Sequence, residues 1–465
     1  MEVPKSPGRA HDALRVMVVG DSISHGREGD WTWRYRIWQW FREEHLTVDF
    51  VGPYTGTVPP SDPHPPRPPR LPDDPPDPPP VIRAHGGYAA GVDPLFLRNS
   101  AHFSASGRLA LQAKDLIAEH VAVYKPDLCL VELGFNDFGW VRCKPDEVLE
   151  SIKTLVDRAR AVKADIKFAI ADVPHRTDLP GREDLPVNTD RYNEMLAREI
   201  LGWSRPESPI ALVRFCENYS CGGSNSEAAY DGLHPNALGE YQLAQAFSRT
   251  LVSAFSIGSK PLEIPKRIPS RPLLVPAGLK LVSDPSGVIA FWEAVYGAYG
   301  YDLQHRRAGQ TRWFQAHVDS NRYYWQQLRK GDVIECRVRA SGGDFLKSPW
   351  TEVVSAVADP QTPAPPSNIR VHAEPYGIRF SWDPPPPPPA GCFDRYAVTL
   401  LDADRPGVYP YAVAVKENEG TIPNLHPGDK YLLRVSTWST IGQGWSVGTR
   451  ARLLGMRFGT AEWCP

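Results

Sequence analysis

At 465 residues the chain is longer than one hydrophobic core usually serves, so several domains are expected. Hydrophobic residues make up 42% and charged residues 23%, an ordinary globular balance, and the net charge of -2 argues against a general nucleic-acid binder or a polybasic membrane binder. No apolar run approaches the roughly 20 residues that span a bilayer.

Short apolar runs alternate with helical patterns over the first part of the chain. Residues 14–19 read as a strand, 31–44 as an aromatic-rich helix and 48–51 as a strand ending at Gly52-Pro53. A helix is expected over 105–123, then a buried strand over 128–133. Helix 145–164, strand 166–173, helix 189–201, strand 210–215 and helix 236–255 follow. Strands alternating with helices predict a parallel sheet covered on both faces. One stretch breaks the pattern. Residues 59–80 are mostly Pro, Asp and Arg, with Leu71 the one large aliphatic side chain, and predict an extended or disordered surface excursion.

The texture changes after Ile257. Residues 259–275 form a proline-studded linker, and two segments of alternating apolar and polar residues follow, at 276–360 and 364–455, before a tail at 456–465. They repeat one another: 279–282, 288–292, 300–303 and 335–340 in the first correspond to 369–372, 378–382, 396–400 and 433–436 in the second. A tandem pair of small β-sandwiches is predicted.

The 7 cysteines make no dense framework, and no Cys-x-x-Cys or His/Cys cluster suggests a metal site. Cys216 and Cys221 are spaced to bridge a local loop. Cys129 reads as a small core residue, and Cys143, Cys336, Cys392 and Cys464 have no readable pairing.

Three segments carry chemistry. Gly20-Asp21-Ser22 ends the first strand and sets a serine on a strand-to-loop turn. Leu133-Gly134-Phe135-Asn136-Asp137 ends the strand at 128–133. Asp231-Gly232-Leu233-His234-Pro235 precedes the last helix. Acyl transfer by serine needs a hydroxyl, a base, a carboxylate to orient the base and donors for the oxyanion. Both strand ends open at the carboxyl edge of a parallel sheet, where open α/β folds bind ligands. The pattern Gly444-Trp445-Ser446-Val447-Gly448 imitates a nucleophile elbow, but it closes a β-sandwich repeat with no helix after it.

The three blocks resemble those of the SGNH (GDSL-type) hydrolase superfamily over about residues 1–258. The resemblance implies a flavodoxin-like, three-layer α/β/α domain. It implies Ser22, His234 and Asp231 as catalytic triad, an oxyanion hole of the Ser22 and Gly107 N–H groups with the Asn136 amide, and no metal or organic cofactor. Gly87 and Gly91 compete with Gly107 for the glycine. The expected activity is a serine esterase acting on acetyl or short acyl groups of a carbohydrate, lipid or natural product. An acyltransferase and a non-catalytic binding or adhesion protein are the alternatives.

Trp31, Trp33 and His175 are candidate pocket residues, with Arg176 beside the last. Arg34 is expected to pair with a buried carboxylate, and His85 and His102 have no decisive context. The two later segments resemble fibronectin type III domains, immunoglobulin-like all-β sandwiches. Trp292 and Trp382 match the family's core tryptophan, and Leu425-x-x-Gly428-x-x-Tyr431 its tyrosine corner, for which the first repeat has Ile334. These domains imply a protein or polysaccharide contact and an extracellular setting. The polar residues 1–12 lack a signal-peptide core, so a cytoplasmic setting stays open.

Overall fold

The computed structural model describes residues 13–452 apart from 80, 142, 223–225, 270, 375, 406–409 and 427. The polar start at 1–12, Cys464 and the tail at 456–465 lie outside the described residues.

The N-terminal part is built on strands β1 (Leu14–Gly20), β2 (Val48–Phe50), β3 (Phe103–Ser104), β4 (Leu128–Glu132), β5 (Lys167–Ala171) and β6 (Ile210–Val213). Their order is β2-β1-β4-β5-β6, all parallel, with the short β3 beside the end of β1. Apart from Arg15, Glu132 and Lys167 near their ends, the central strands β1, β4 and β5 are apolar and buried on both faces, as a covered parallel sheet requires. Helices α1 (Ser22–His25), α2 (Thr32–Glu43), α3 (Pro94–Leu97), α4 (Ala110–Tyr124), α5 (Pro145–Val162), α6 (Asp184–Trp203), α7 (Phe215–Asn218) and α8 (Ala237–Phe255) connect the strands.

The chain leaves β1 toward β2 on one side and reaches β4 on the other, so strand order reverses between β1 and β4. Their ends are level, with Gly20 opposite Glu132. That is the crevice where such sheets place ligands, and Ser22 and Asn136 each follow one of the two strands.

Antiparallel sheets make up the rest. The first sandwich comprises β7 (Lys280–Asp284), β8 (Gly287–Phe291), β9 (Gly300–Arg307), β10 (Phe314–Val318), β11 (Arg322–Trp325), β12 (Val333–Ser341) and β13 (Val354–Val357), in sheets β10-β9-β12-β13 and β11-β8-β7. The second comprises β14 (Ser367–Glu374), β15 (Gly377–Asp383), β16 (Phe393–Asp402), β17 (Tyr411–Val415), β18 (Glu419–Ile422), β19 (Lys430–Ser439) and β20 (Val447–Arg452), in sheets β14-β15-β18 and β17-β16-β19-β20. Trp292 and Trp382 are buried, each set edge-on to a tyrosine, Tyr301 and Tyr396. The Tyr431 hydroxyl accepts the N–H of His426 (3.2 Å), and Ile334 occupies the first core as a plain hydrophobe.

Two segments expected as loose are packed. Along the linker, Leu262 joins the N-terminal core, Leu273 the core of the first sandwich, and Arg271 is buried between them. The proline-rich excursion is extended but anchored. Leu71 is buried, and the Arg395 guanidinium of the second sandwich binds Asp74 and the Pro69 carbonyl. The thiols of Cys216 and Cys221 are both free, against the expected bridge. Cys221 Sγ instead donates to the His175 carbonyl, and the Cys216 N–H binds Asp172.

Candidate active site

Asp21 caps α1, its Oδ1 accepting the Ile23 N–H (2.9 Å), and so turns the chain sharply after β1. Ser22, the first helical residue, is left facing the crevice. On the far wall, residues 228–235 close a tight loop before α8, with Ala229 bridged to Pro235. Gly232, at φ 76°, lets Asp231 turn back on His234. Asp231 Oδ1 accepts the N–H groups of Leu233 (3.2 Å) and His234 (2.9 Å), and Oδ2 lies 2.7 Å from His234 Nδ1. His234 Nε2 lies 2.8 Å from Ser22 Oγ. Burial alone would raise the Asp231 carboxyl; the hydrogen bonds from His234 and Leu233 outweigh it and hold the group below its usual range.

Asn136 and Gly107 line the opposite side. Asn136 lies just before a π-turn, Asp137–Val141, and its side chain is held at both ends. Trp140 Nε1 donates to Asn136 Oδ1 (2.7 Å), and Asn136 Nδ2 donates to Asp21 Oδ2 (2.9 Å) and, at 3.3 Å, to the Arg108 carbonyl. Gly107, at φ 75°, stands at the pocket with nothing near the place of a Cβ. Its loop is fixed from two directions. The Ser106 N–H donates to His25 Nδ1 (3.2 Å), and the Asp137 carboxylate takes the N–H groups of Ala110 and Leu111 at the start of α4. Burial, with Arg34 and Arg108 nearby, lowers His25 to about 3, so it stays neutral and can accept that N–H. Next to α1, Glu132 accepts from Ser24 Oγ (2.8 Å); burial and the Asp21 charge push Glu132 well above the carboxylate range.

Ser22, Gly107, Asn136, Asp231 and His234 line one pocket of about 300 Å³ with Arg27, Asp30, Trp140, Tyr230 and Leu233. The structure therefore brings together Ser22, Gly107, Asn136, Asp231 and His234. Gly87 and Gly91 are elsewhere, Gly87 facing the Tyr296 hydroxyl of the first sandwich.

Several expected neighbours are not in the pocket. Trp33 is a core residue, stacked on Phe247 at 4.6 Å, with its indole N–H on Ser24 Oγ (3.2 Å). Trp31 lines a second cavity, between the N-terminal part and the first sandwich. His175 binds Asp190 (2.8 Å); its hydrogen bonds to Cys216 and Asp190 outweigh burial and raise it to about 9. Arg176 donates to Thr177 and is also outside. Among the described residues Arg34 meets no carboxylate: it is buried against the carbonyls of Ser24, His25, Gly56 and Ser100 and the Tyr88 hydroxyl. His102 is likewise spent on the Gly56 carbonyl and the Ser104 N–H. Ser446 Oγ donates to Gln327 Oε1 (2.8 Å), between the two sandwiches.

Trp140 and Tyr230 were not picked out by sequence. Trp140 had a signal, since it is four residues after Asn136 and helical backbone makes such residues neighbours. Tyr230 had none.

A doubly wound parallel sheet with serine, histidine and aspartate at its switch point fits the class of SGNH hydrolases. Residues 18–241 match the model of the GDSL-like Lipase/Acylhydrolase family, and residues 364–451 that of the fibronectin type III domain. The N-terminal part of this chain is thus a GDSL-like lipase/acylhydrolase domain, whose chemistry is the hydrolysis of acyl esters, and a fibronectin type III domain follows it. Among solved structures the chain is similar to a carbohydrate esterase family 3 from Talaromyces cellulolyticus, at 20% identity over 53% of this chain and 100% of that one, with a TM-score of 0.39. A Clostridium thermocellum family 3 carbohydrate esterase is similar at 17% identity, 53% and 100% coverage and a TM-score of 0.37. A segment of two fibronectin type III domains from chicken tenascin shares 17% identity, with 38% and 99% coverage and a TM-score of 0.18. No curated protein matches the chain. Among the described residues no helix is long and apolar enough to cross a membrane.

Proposed function

We propose that the protein is a serine esterase that removes acetyl or other short acyl groups from a carbohydrate or similar polyhydroxyl compound. The observation that carries this reading is the unbroken chain Ser22 Oγ–His234 Nε2–His234 Nδ1–Asp231 Oδ2, with links of 2.8 and 2.7 Å. His234 takes the Ser22 proton as Oγ attacks the ester carbonyl, and Asp231 stabilises the imidazolium that forms. The N–H groups of Ser22 and Gly107 receive the oxyanion, joined by the Asn136 amide, which turns to it the hydrogen that it gives at 3.3 Å to the Arg108 carbonyl. His234 returns the proton to the leaving alcohol, and water then releases the acyl group by the same steps in reverse order.

The short acyl chain is inferred from the small volume of the pocket, about 300 Å³, which Trp140, Tyr230 and Leu233 help to line. The division at 1–258, 276–360 and 364–455 is part of the same proposal. A series of p-nitrophenyl esters of graded chain length, beside acetylated sugars, tests it. Acetate and short esters should react fastest, and Ser22→Ala should abolish turnover. Wild-type rates in Ser22→Ala would end the proposal.

A further inference from the structure

The pocket is not a property of the hydrolase domain alone. Three of its rim residues are bonded to the first sandwich. Arg27 Nη1 donates to the Tyr299 carbonyl (2.9 Å). Asp30 accepts the Tyr299 hydroxyl (2.5 Å) and the Arg271 guanidinium on Oδ1, and the Arg27 N–H (2.6 Å) on Oδ2. The Tyr230 carbonyl accepts the Asp344 N–H (2.6 Å) from the loop after β12.

Tyr230 is the connecting piece. One side of its ring meets the ring of Tyr299, with centroids 4.1 Å apart. It also lies along the His234 imidazole, 5.5 Å away and only 17° from parallel. Its N–H donates to the His234 carbonyl (2.9 Å). Across the interface Gly343, at φ 106°, lies so close that a Cβ there would come to 2.5 Å from Tyr230 Cβ.

The two hydrogen bonds of His234 lie in the plane of its ring. They set the ring's rotation but resist a tilt out of that plane only weakly. A flat ring braced from behind opposes the tilt. We propose that the first sandwich is a positioning element of the esterase, and that Tyr230, clamped between Tyr299 and the Asp344 loop, holds His234 in the one orientation that reaches both Ser22 and Asp231. The inference rests on the triad reading above. It makes Tyr230 a positioning residue whose own support comes from another domain.

The test uses the full-length chain and p-nitrophenyl acetate. Tyr230→Ala removes the brace, and Gly343→Ala presses on it from the sandwich without touching the pocket. Both should lower kcat by about 10–100-fold, the scale on which a small misplacement of a catalytic group is felt. KM should change less than about threefold, and fluorophosphonate labelling of Ser22 should slow in parallel. Tyr230→Phe keeps the ring and should restore most of the rate. A kcat near wild type in both Tyr230→Ala and Gly343→Ala would overturn the proposal. So would a Tyr230→Phe variant as slow as Tyr230→Ala, because a hydroxyl rather than a stacked ring would then be responsible. Ser22→Ala separates the two levels: if it stays active the triad reading fails, whereas if it is inert and the brace variants are fast only this inference fails.

Discussion

Replacing Arg271 by methionine should loosen the first sandwich from the hydrolase, and the size of the effect follows from what surrounds Asp30. Both side chains are buried, at 10% and 7% exposure. Without Arg271 the Asp30 carboxylate keeps two donors, the Tyr299 hydroxyl and the Arg27 N–H, but loses its counter-charge. Removing one member of a buried ion pair costs about 3–5 kcal/mol, because the other charge is stranded out of water. The two surviving hydrogen bonds place the cost at the lower end, about 3 kcal/mol. At roughly 2–4 °C per kcal/mol for a domain of this size, the melting transition should fall by about 6–12 °C. Scanning calorimetry of the full-length chain reads it. Adding Asp30→Asn to Arg271→Met removes the stranded charge and should return about half of the loss, which a double-mutant cycle quantifies. A melting temperature within about 1 °C of wild type in Arg271→Met, or no recovery in the double variant, would refute the reasoning.

Asp231→Asn should lower kcat by about 10³–10⁴-fold with little change in KM, because an amide N–H against His234 Nδ1 forces the proton onto Nε2, which then cannot accept from Ser22; steady-state kinetics on p-nitrophenyl acetate decides it. Trp140→Phe removes one hydrogen bond from Asn136 Oδ1, worth about 1 kcal/mol, so kcat should drop roughly fivefold, well short of the 10²–10³ expected of Asn136→Ala. Asp172, raised to about 6 from 3.8 by burial, stabilises the fold most when protonated. Its contribution is intact below about pH 4 and is lost as pH rises to about 6, by about 2–3 kcal/mol. Denaturant titrations of Asp172→Asn and wild type should therefore diverge over that window, the variant gaining relative stability with pH; parallel curves would count against it.

Much of the hydrolase was legible because its strands are apolar runs too short for helices, and its three blocks sit where those runs end. Helix 105–123 was read five residues early. Gly107 adopts a left-handed turn there, and the helix begins at Ala110, whose N–H is taken by Asp137 of the π-turn after β4, distant in sequence. Arg34 was misread for a related reason: a buried arginine predicts acceptors, but four carbonyls serve as well as a carboxylate, and which loops supply them is a tertiary fact. His175 follows a strand end on the carboxyl edge, yet β5 is one strand removed from the β1–β4 crevice, and its side chain turns to Asp190 on α6. Tyr230 and Arg271 gain their meaning only from contact between domains, which no local pattern encodes.

The anchoring of residues 59–80 on the second sandwich has a mechanical consequence. A proline-rich segment has surrendered most of its backbone freedom before the protein folds, so fixing it in place costs little entropy. Held at Asp74 by Arg395, it ties the second sandwich directly to the hydrolase domain, in addition to the covalent route through 259–275 and the first sandwich. A force applied to the second sandwich is then shared by two routes into the hydrolase, and swinging the outer module away requires releasing this tie as well as the contacts along the covalent route.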